Sequence, residues 1–182
     1  MSAGQHLDDA LAAERAAYTA LMDGRPADDS LLRARDAYLA SHAESGPRSW
    51  GRLIGGLKMA VLASDGEQET ALRALDETAG VDGPTAAYAR ALAQVMLGRP
   101  VDVQPLLAAG DAFARTGIAL AAISAGDRRA YEAALTDVLD DYAAREQHLS
   151  GIPIADTALV LERLADRRGL AMRKKHPLLP IY

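Results

Sequence analysis

The sequence contains no cysteine, which excludes a disulfide scaffold, a thiol nucleophile and any thiolate-bound zinc or iron–sulfur centre, and fits a reducing compartment. Aromatic residues are scarce, 4% of 182 residues with one Trp and one Phe, so aliphatic and alanine side chains must supply the core. No apolar run approaches the roughly 20 residues of a bilayer span; the longest, Ile118 to Ala125, is interrupted by Ser124. The segment Met1 to Asp9 lacks the basic start and apolar stretch of a secretory signal. The expectation is a cytoplasmic protein with no membrane partner. Lysine is also rare, three of 20 basic residues, whereas alanine occurs 39 times, a mix that suggests a GC-rich bacterial genome.

What is present is globular in character. Residues are 49% apolar and 25% charged, with a net charge of -5, far from the composition that keeps chains disordered. Apolar positions recur at spacings of three and four between Gly, Pro and Asp punctuation, and no alternating β-branched stretch is visible. This predicts an all-α fold, an array of antiparallel helical hairpins of tetratricopeptide type with about eight helices. Residues 1–170 form one domain and 171–182 an extended tail.

The expected helices run from about Gln5 to Met22, from near Asp28 to the Gly46-Pro47 turn, from Pro47 to Ala63, from Glu67 to Ala79 and from Gly83-Pro84 through Met96. A short piece around Val103 to Ala108 comes next. Asp111 to Ala125 is apolar on most sides and expected to be the central helix. A helix capped by Asp127 continues to about Leu149, and the last runs from Pro153 to Arg168, ended by Gly169. Tyr18, Tyr38 and Tyr142 fall on apolar stripes, and Gly51, Gly55 and Gly56 offer close approach to a neighbouring helix. The tail is expected to dock by its Leu, Ile and Tyr residues. Leu21 to Asp28 echoes Val95 to Asp102, which reads as a degenerate hairpin repeat.

Catalytic chemistry is not indicated. The four histidines are widely separated; the best metal candidate joins His148 to Asp137 and Asp141, with Asp140 and Glu146 nearby, and reads more simply as a solvated acidic face. No serine sits in a strand-to-helix elbow. Gly51 to Lys58 mimics a phosphate loop but lacks a Ser or Thr after the lysine, and adjacent carboxylates such as Asp8-Asp9 and Asp28-Asp29 suit helix starts. The expectation is a non-catalytic protein without cofactor or metal.

Charge is unevenly placed. Residues 161–182 hold six basic and two acidic side chains, net +4, leaving -9 for the rest. An acidic body argues against nucleic-acid binding and suits a basic protein partner. Asp65, Glu67 and Glu69, with Asp137, Asp140 and Asp141, are the candidate partner-binding residues.

The segments Asp127 to Leu139, Ile152 to Ala165, Arg168 to Ala171 and His176 to Pro180, in that order, resemble the end of the immunity protein 49 family of bacterial polymorphic toxin systems. Trp50 opening an apolar helix is a second likeness. The resemblance implies an all-α cytoplasmic protein that binds and neutralises a cognate toxin without catalysis, and the acidic body adds the expectation that such a toxin is basic. The alternative is a regulatory or small-ligand-binding helical-repeat domain, with an apolar groove containing Trp50, Tyr88 and Phe113. An enzyme would require convergent polar groups that sequence spacing cannot exhibit.

Overall fold

Local signals decide where the helices start and stop. The computed structural model describes residues 2–46, 48–148 and 150–181, and among these residues the chain is all-helical, with nine α-helices and no strand. They are α1 (Ala3–Met22), α2 (Asp28–Glu44), α3 (Trp50–Ala63), α4 (Glu67–Glu77), α5 (Pro84–Met96), α6 (Gln104–Leu107), α7 (Asp111–Ala125), α8 (Arg128–Ala143) and α9 (Asp156–Asp166). The expected helix start at Pro47, the helix end at Leu149 and the tail's Tyr182 lie outside the described residues.

Ser2 and Gln5 form a reciprocal capping box at α1, and the Asp127 side chain accepts the Ala130 N–H at the start of α8. The echo between the first and fifth helices is a shared stop signal. In both, a glycine with positive φ (Gly24, Gly98) follows the helix, and the next arginine returns its N–H to a carbonyl five residues back, Arg25 to Ala20 at 2.8 Å and Arg99 to Gln94 at 2.9 Å. This is the Schellman arrangement. The likeness ends at the stop, because Arg25 leads into a helix of 17 residues and Arg99 into one of four.

Successive helices pair as hairpins: α1 packs on α2, α2 on α3, α4 on α5 and α7 on α8. α3 also meets α4, α5 and α9, and α9 meets α7 and α8 as well. By burial the most enclosed helix is α9, not α7. Thr157 to Glu162, Leu164 and Ala165 are all buried, whereas α7 leaves Ile118 46% exposed. Alanine supplies much of the core, and fully buried alanines such as Ala17, Ala60, Ala74, Ala93 and Ala158 let helix backbones approach closely.

Two helix boundaries differ from expectation for tertiary reasons. α8 ends at Ala143, where the Arg145 N–H turns back to the Tyr142 carbonyl; the loop beyond is tied to α1 by Arg15 Nε, which donates to the Ser150 carbonyl at 3.1 Å. α9 begins at Asp156, because Ile154 and Ala155 run buried beside the tail and the Ala155 N–H donates to the Leu178 carbonyl at 2.9 Å.

The tail docks on the body. The Glu162 carboxylate, 3% exposed, accepts the Tyr131 hydroxyl at 2.6 Å and the backbone N–H groups of Met172 and Arg173 at 3.1 and 2.7 Å. Leu170 and Leu179 are buried, but Ile181 is exposed. Arg168 donates to the carbonyls of Val95, Ile123 and Ser124, binding the ends of α5 and α7 to α9. No helix among the described residues is long and apolar enough to cross a membrane.

Candidate functional site

A cavity of about 350 Å³ opens between α1, α2, α3, α8 and the start of α9. Its ionisable groups come from each of them: Glu14 and Tyr18 from α1, Tyr38 from α2, Lys58 from α3, Tyr142 from α8 and Asp156 from α9. Leu11, Ile54 and Ile154 supply apolar wall, and Arg145, His148 and Ser150 stand on the loop side.

The floor is a desolvated ion pair. Lys58 Nζ lies 2.6 Å from Asp156 Oδ2 and 3.0 Å from Thr157 Oγ1. The Tyr142 hydroxyl donates to Asp156 Oδ1 at 2.5 Å and lies 2.8 Å from Thr157 Oγ1. Asp156 thus has both oxygens satisfied at the first turn of α9, where the helix dipole also favours a negative charge. Burial alone would strip the proton from Lys58, but Asp156, assisted by Tyr88 and Tyr142, outweighs it and holds the amine's pKa well above its usual value. Burial likewise opposes ionisation of Asp156, and the Lys58 ammonium with the Tyr142 hydroxyl reverses this, holding the carboxyl below the ordinary range. Ammonium and carboxylate is therefore the resting state.

Above this pair the Tyr38 hydroxyl donates to Glu14 Oε2. Burial pushes the Glu14 carboxyl up and Asp156 adds to the push, while the Tyr38 and Tyr18 hydroxyls and the Lys58 charge offset only part of it. Tyr18 is 1% exposed. Its hydroxyl faces Glu14 but makes no hydrogen bond of ordinary geometry, and burial followed by the charges of Asp156 and Glu14 pushes its pKa well up. Burial also raises Tyr142, to about 12. On the loop side the Arg145 guanidinium lies 3.7 Å over the Tyr142 ring and bonds Asp141 at 2.6 Å, while His148 stacks on Tyr142 and its buried Nδ1 is unpaired.

Tyr38 reaches Glu14 because α3 presents no side chain opposite it: a Cβ on Gly55 would sit 2.9 Å from the Tyr38 ring. Gly56 serves Leu39 in the same way, at 2.7 Å. Gly51, the third glycine of the set, faces open space on the cavity wall.

The six acidic residues singled out in the sequence form two separate strips on different elements. Asp65 accepts Arg35 at 3.2 Å, Glu67 is engaged by Arg167, and Asp141 is shared between Arg115 and Arg145. Glu69, Asp137 and Asp140 are exposed. His148 leaves the helix carrying Asp137 and Asp141, so the suggested strip does not assemble; among the described residues no group of three or more His, Asp or Glu could hold a metal ion.

The proposed aromatic groove is also divided. Tyr88 and Phe113 pack edge to face with centroids 6.4 Å apart and line a depression behind Tyr142, whereas Trp50 lies against His42 at 5.5 Å.

A Ser, His and Glu alignment was not legible in the sequence: His42 Nδ1 is 2.8 Å from Ser49 Oγ and Nε2 is 2.6 Å from Glu77 Oε2. Its order matches an acyl-transfer triad, but its surroundings are those of a brace. Ser49 Oγ also lies 3.3 Å from the Gly46 carbonyl across the α2–α3 turn, and Arg73 holds Glu77 at 2.6 Å. The neighbouring depression is walled by Arg48, Trp50 and Val81 to Ala86, without Ser49.

The signals that pointed to the cavity were present but faint. Lys58 is the only cation in the apolar stretch from Leu53 to Ala63, and a charge there has to be paired once buried. Its partner is 98 positions away, which no local pattern reveals. No family model, curated protein or solved structure matches the chain.

Proposed function

We propose that this chain is a helical small-ligand-binding protein whose site is the cavity between Glu14, Tyr18, Tyr38, Lys58 and Tyr142. The observation that carries the reading is the Tyr18 hydroxyl, buried beside a desolvated ion pair and facing only Glu14, without a hydrogen bond of ordinary geometry. Buried polar groups are nearly always satisfied, and a phenylalanine would fill the same space without that cost. The volume falls within the range of about 300–1,000 Å³ common for small-molecule sites, and an apolar wall with a few convergent polar groups is their usual lining. No bond-making step is part of this reading.

The test uses Gly51→Leu, which adds a bulky side chain on the cavity wall at a position where a Cβ meets nothing. Metabolite mixtures are screened by amide chemical-shift perturbation against the wild type and this variant. Shifts at Tyr18, Tyr38 and Tyr142 that disappear in Gly51→Leu support the reading; shifts that persist in the plugged variant defeat it.

A second reading, protein binding as an immunity protein against a basic toxin, draws on the sequence resemblance and on the exposed Glu69, Asp137 and Asp140. Leu72, one turn from Glu69, adds an apolar spot at 42% exposure. Co-precipitation with the product of an adjacent gene, lost on reversing those three charges, is its expected behaviour. Both readings are of a cytoplasmic bacterial protein, an expectation that rests on composition alone.

A further inference from the structure

Resting on the small-ligand reading, the hydrogen-bond inventory of the cavity specifies a ligand class. Lys58 spends two of its three donors, on Asp156 and Thr157, and the third is available to the cavity. The Tyr18 hydroxyl faces Glu14 without a hydrogen bond of ordinary geometry, so its donor can turn to a ligand. Arg145 commits Nη2 to Asp141 and retains further N–H groups, since a guanidinium carries five. On the acceptor side both Asp156 oxygens are occupied and one Glu14 oxygen takes the Tyr38 proton. The second Glu14 oxygen and the unpaired Nδ1 of His148 remain, so donors from Tyr18, Lys58 and Arg145 outnumber the unspent acceptors.

Charge is close to balanced. Lys58 and Asp156 cancel, Asp141 answers Arg145 and also Arg115 behind the cavity, and Glu14 adds a further carboxylate. The positive end of the cavity is the wall where Arg145 stands, away from the Glu14 carboxylate. Leu11, Ile54 and Ile154 offer contact for a hydrocarbon portion.

We propose that the cavity takes a small organic carboxylate, its oxygens facing the unspent donors of Tyr18, Lys58 and Arg145 and its hydrocarbon part lying against Leu11, Ile54 and Ile154. Asp156, the other lining carboxylate, is neutralised by Lys58, so Glu14 would repel the ligand most. Because burial already raises that carboxyl, Glu14 yields its charge more readily than an exposed glutamate.

Matched trios test this: benzoate, benzamide and benzylamine, and hexanoate, hexanamide and hexylamine, with inorganic phosphate and sulfate alongside. Each is titrated at millimolar concentration against wild type, Tyr18→Phe and Gly51→Leu, reading thermal shift and calorimetric affinity. The expected result is stabilisation by a carboxylate over its amide and amine, weakened roughly tenfold or more in Tyr18→Phe, as for loss of a hydrogen bond to a charged acceptor, and absent in Gly51→Leu. Preference for an amine or amide, or for phosphate or sulfate alone, with the same loss in Gly51→Leu overturns the carboxylate assignment and leaves the ligand site standing. If no compound acts in a manner sensitive to Gly51→Leu, the site reading fails and this inference with it.

Discussion

A Cβ at Gly55 would stand 2.9 Å from the ring of Tyr38, closer than side chains tolerate, so the absence of that carbon on α3 allows the phenol on α2 to reach Glu14. Gly55→Ala is therefore an overpacking substitution, costing about 1–3 kcal/mol against a gain of about 1 kcal/mol in helix propensity. The expected net is a melting temperature lower by up to about 8 °C. Gly51→Ala, where a Cβ meets nothing, gains the propensity alone. Circular-dichroism melts of the two variants should move in opposite directions.

The ion pair on the cavity floor should behave as a unit. Lys58→Met or Asp156→Asn alone leaves one buried charge without its partner and is expected to cost about 3–5 kcal/mol. The double variant removes both charges and should cost clearly less than the sum. A double-mutant cycle by urea unfolding measures the coupling, and additive losses would show that the two charges are separately solvated.

Glu14 gives a pH signature. Its carboxyl is raised above the ordinary value of 4.5 by burial, so the folded state binds this proton more tightly than the unfolded state. The stability gained is complete below about pH 4.5 and is lost as pH rises through the folded value. Relative to Glu14→Gln, the wild type should therefore gain stability as pH falls toward 4.5. Asp156, held low by Lys58, has the reverse sign, its contribution disappearing only as pH falls below 3.8 through the folded value. Urea midpoints of wild type and the two neutral variants, followed from about pH 8 down to about pH 2, separate these contributions.

Glu162 is predicted to hold the tail. Replacing it by Ala removes the acceptor of the Met172 and Arg173 amides and of the Tyr131 hydroxyl, each a charge-assisted bond of about 1.5–3 kcal/mol. Amide exchange in the segment from Leu170 to Ile181 should accelerate by roughly tenfold or more, with α1 and α2 unaffected. Uniform acceleration across the chain would instead mean that this carboxylate supports the whole fold.

The helices were legible because their ends are written locally. Gly24, Gly98, Gly126 and Gly169 stop four of them, and Asp111 to Ala125 occupies the span its pattern predicts. The misplacements occurred where distant contacts override local preference. Good helix formers follow Ala143, yet the chain leaves the helix for a loop anchored by Arg15. Residues before Asp156 are drawn out beside the tail. Amphipathic periodicity identified Tyr18, Tyr38 and Tyr142 as inward-facing but could not distinguish a tyrosine that fills space from one that presents a hydroxyl to a cavity. The candidate site was opaque for the same reason, since Glu14, Lys58 and Asp156 each look like an isolated charge on its own helix and acquire meaning only across helices.

The cavity's walls are contributed from opposite ends of the chain, Lys58 meeting a carboxylate 98 residues downstream and Arg15 a carbonyl 135 residues downstream. Such a recess cannot exist in any fragment that has closed only its local hairpins; it is completed when the final helix seats. An occupant would consequently clasp the first three helices to the last, and its release would accompany their separation.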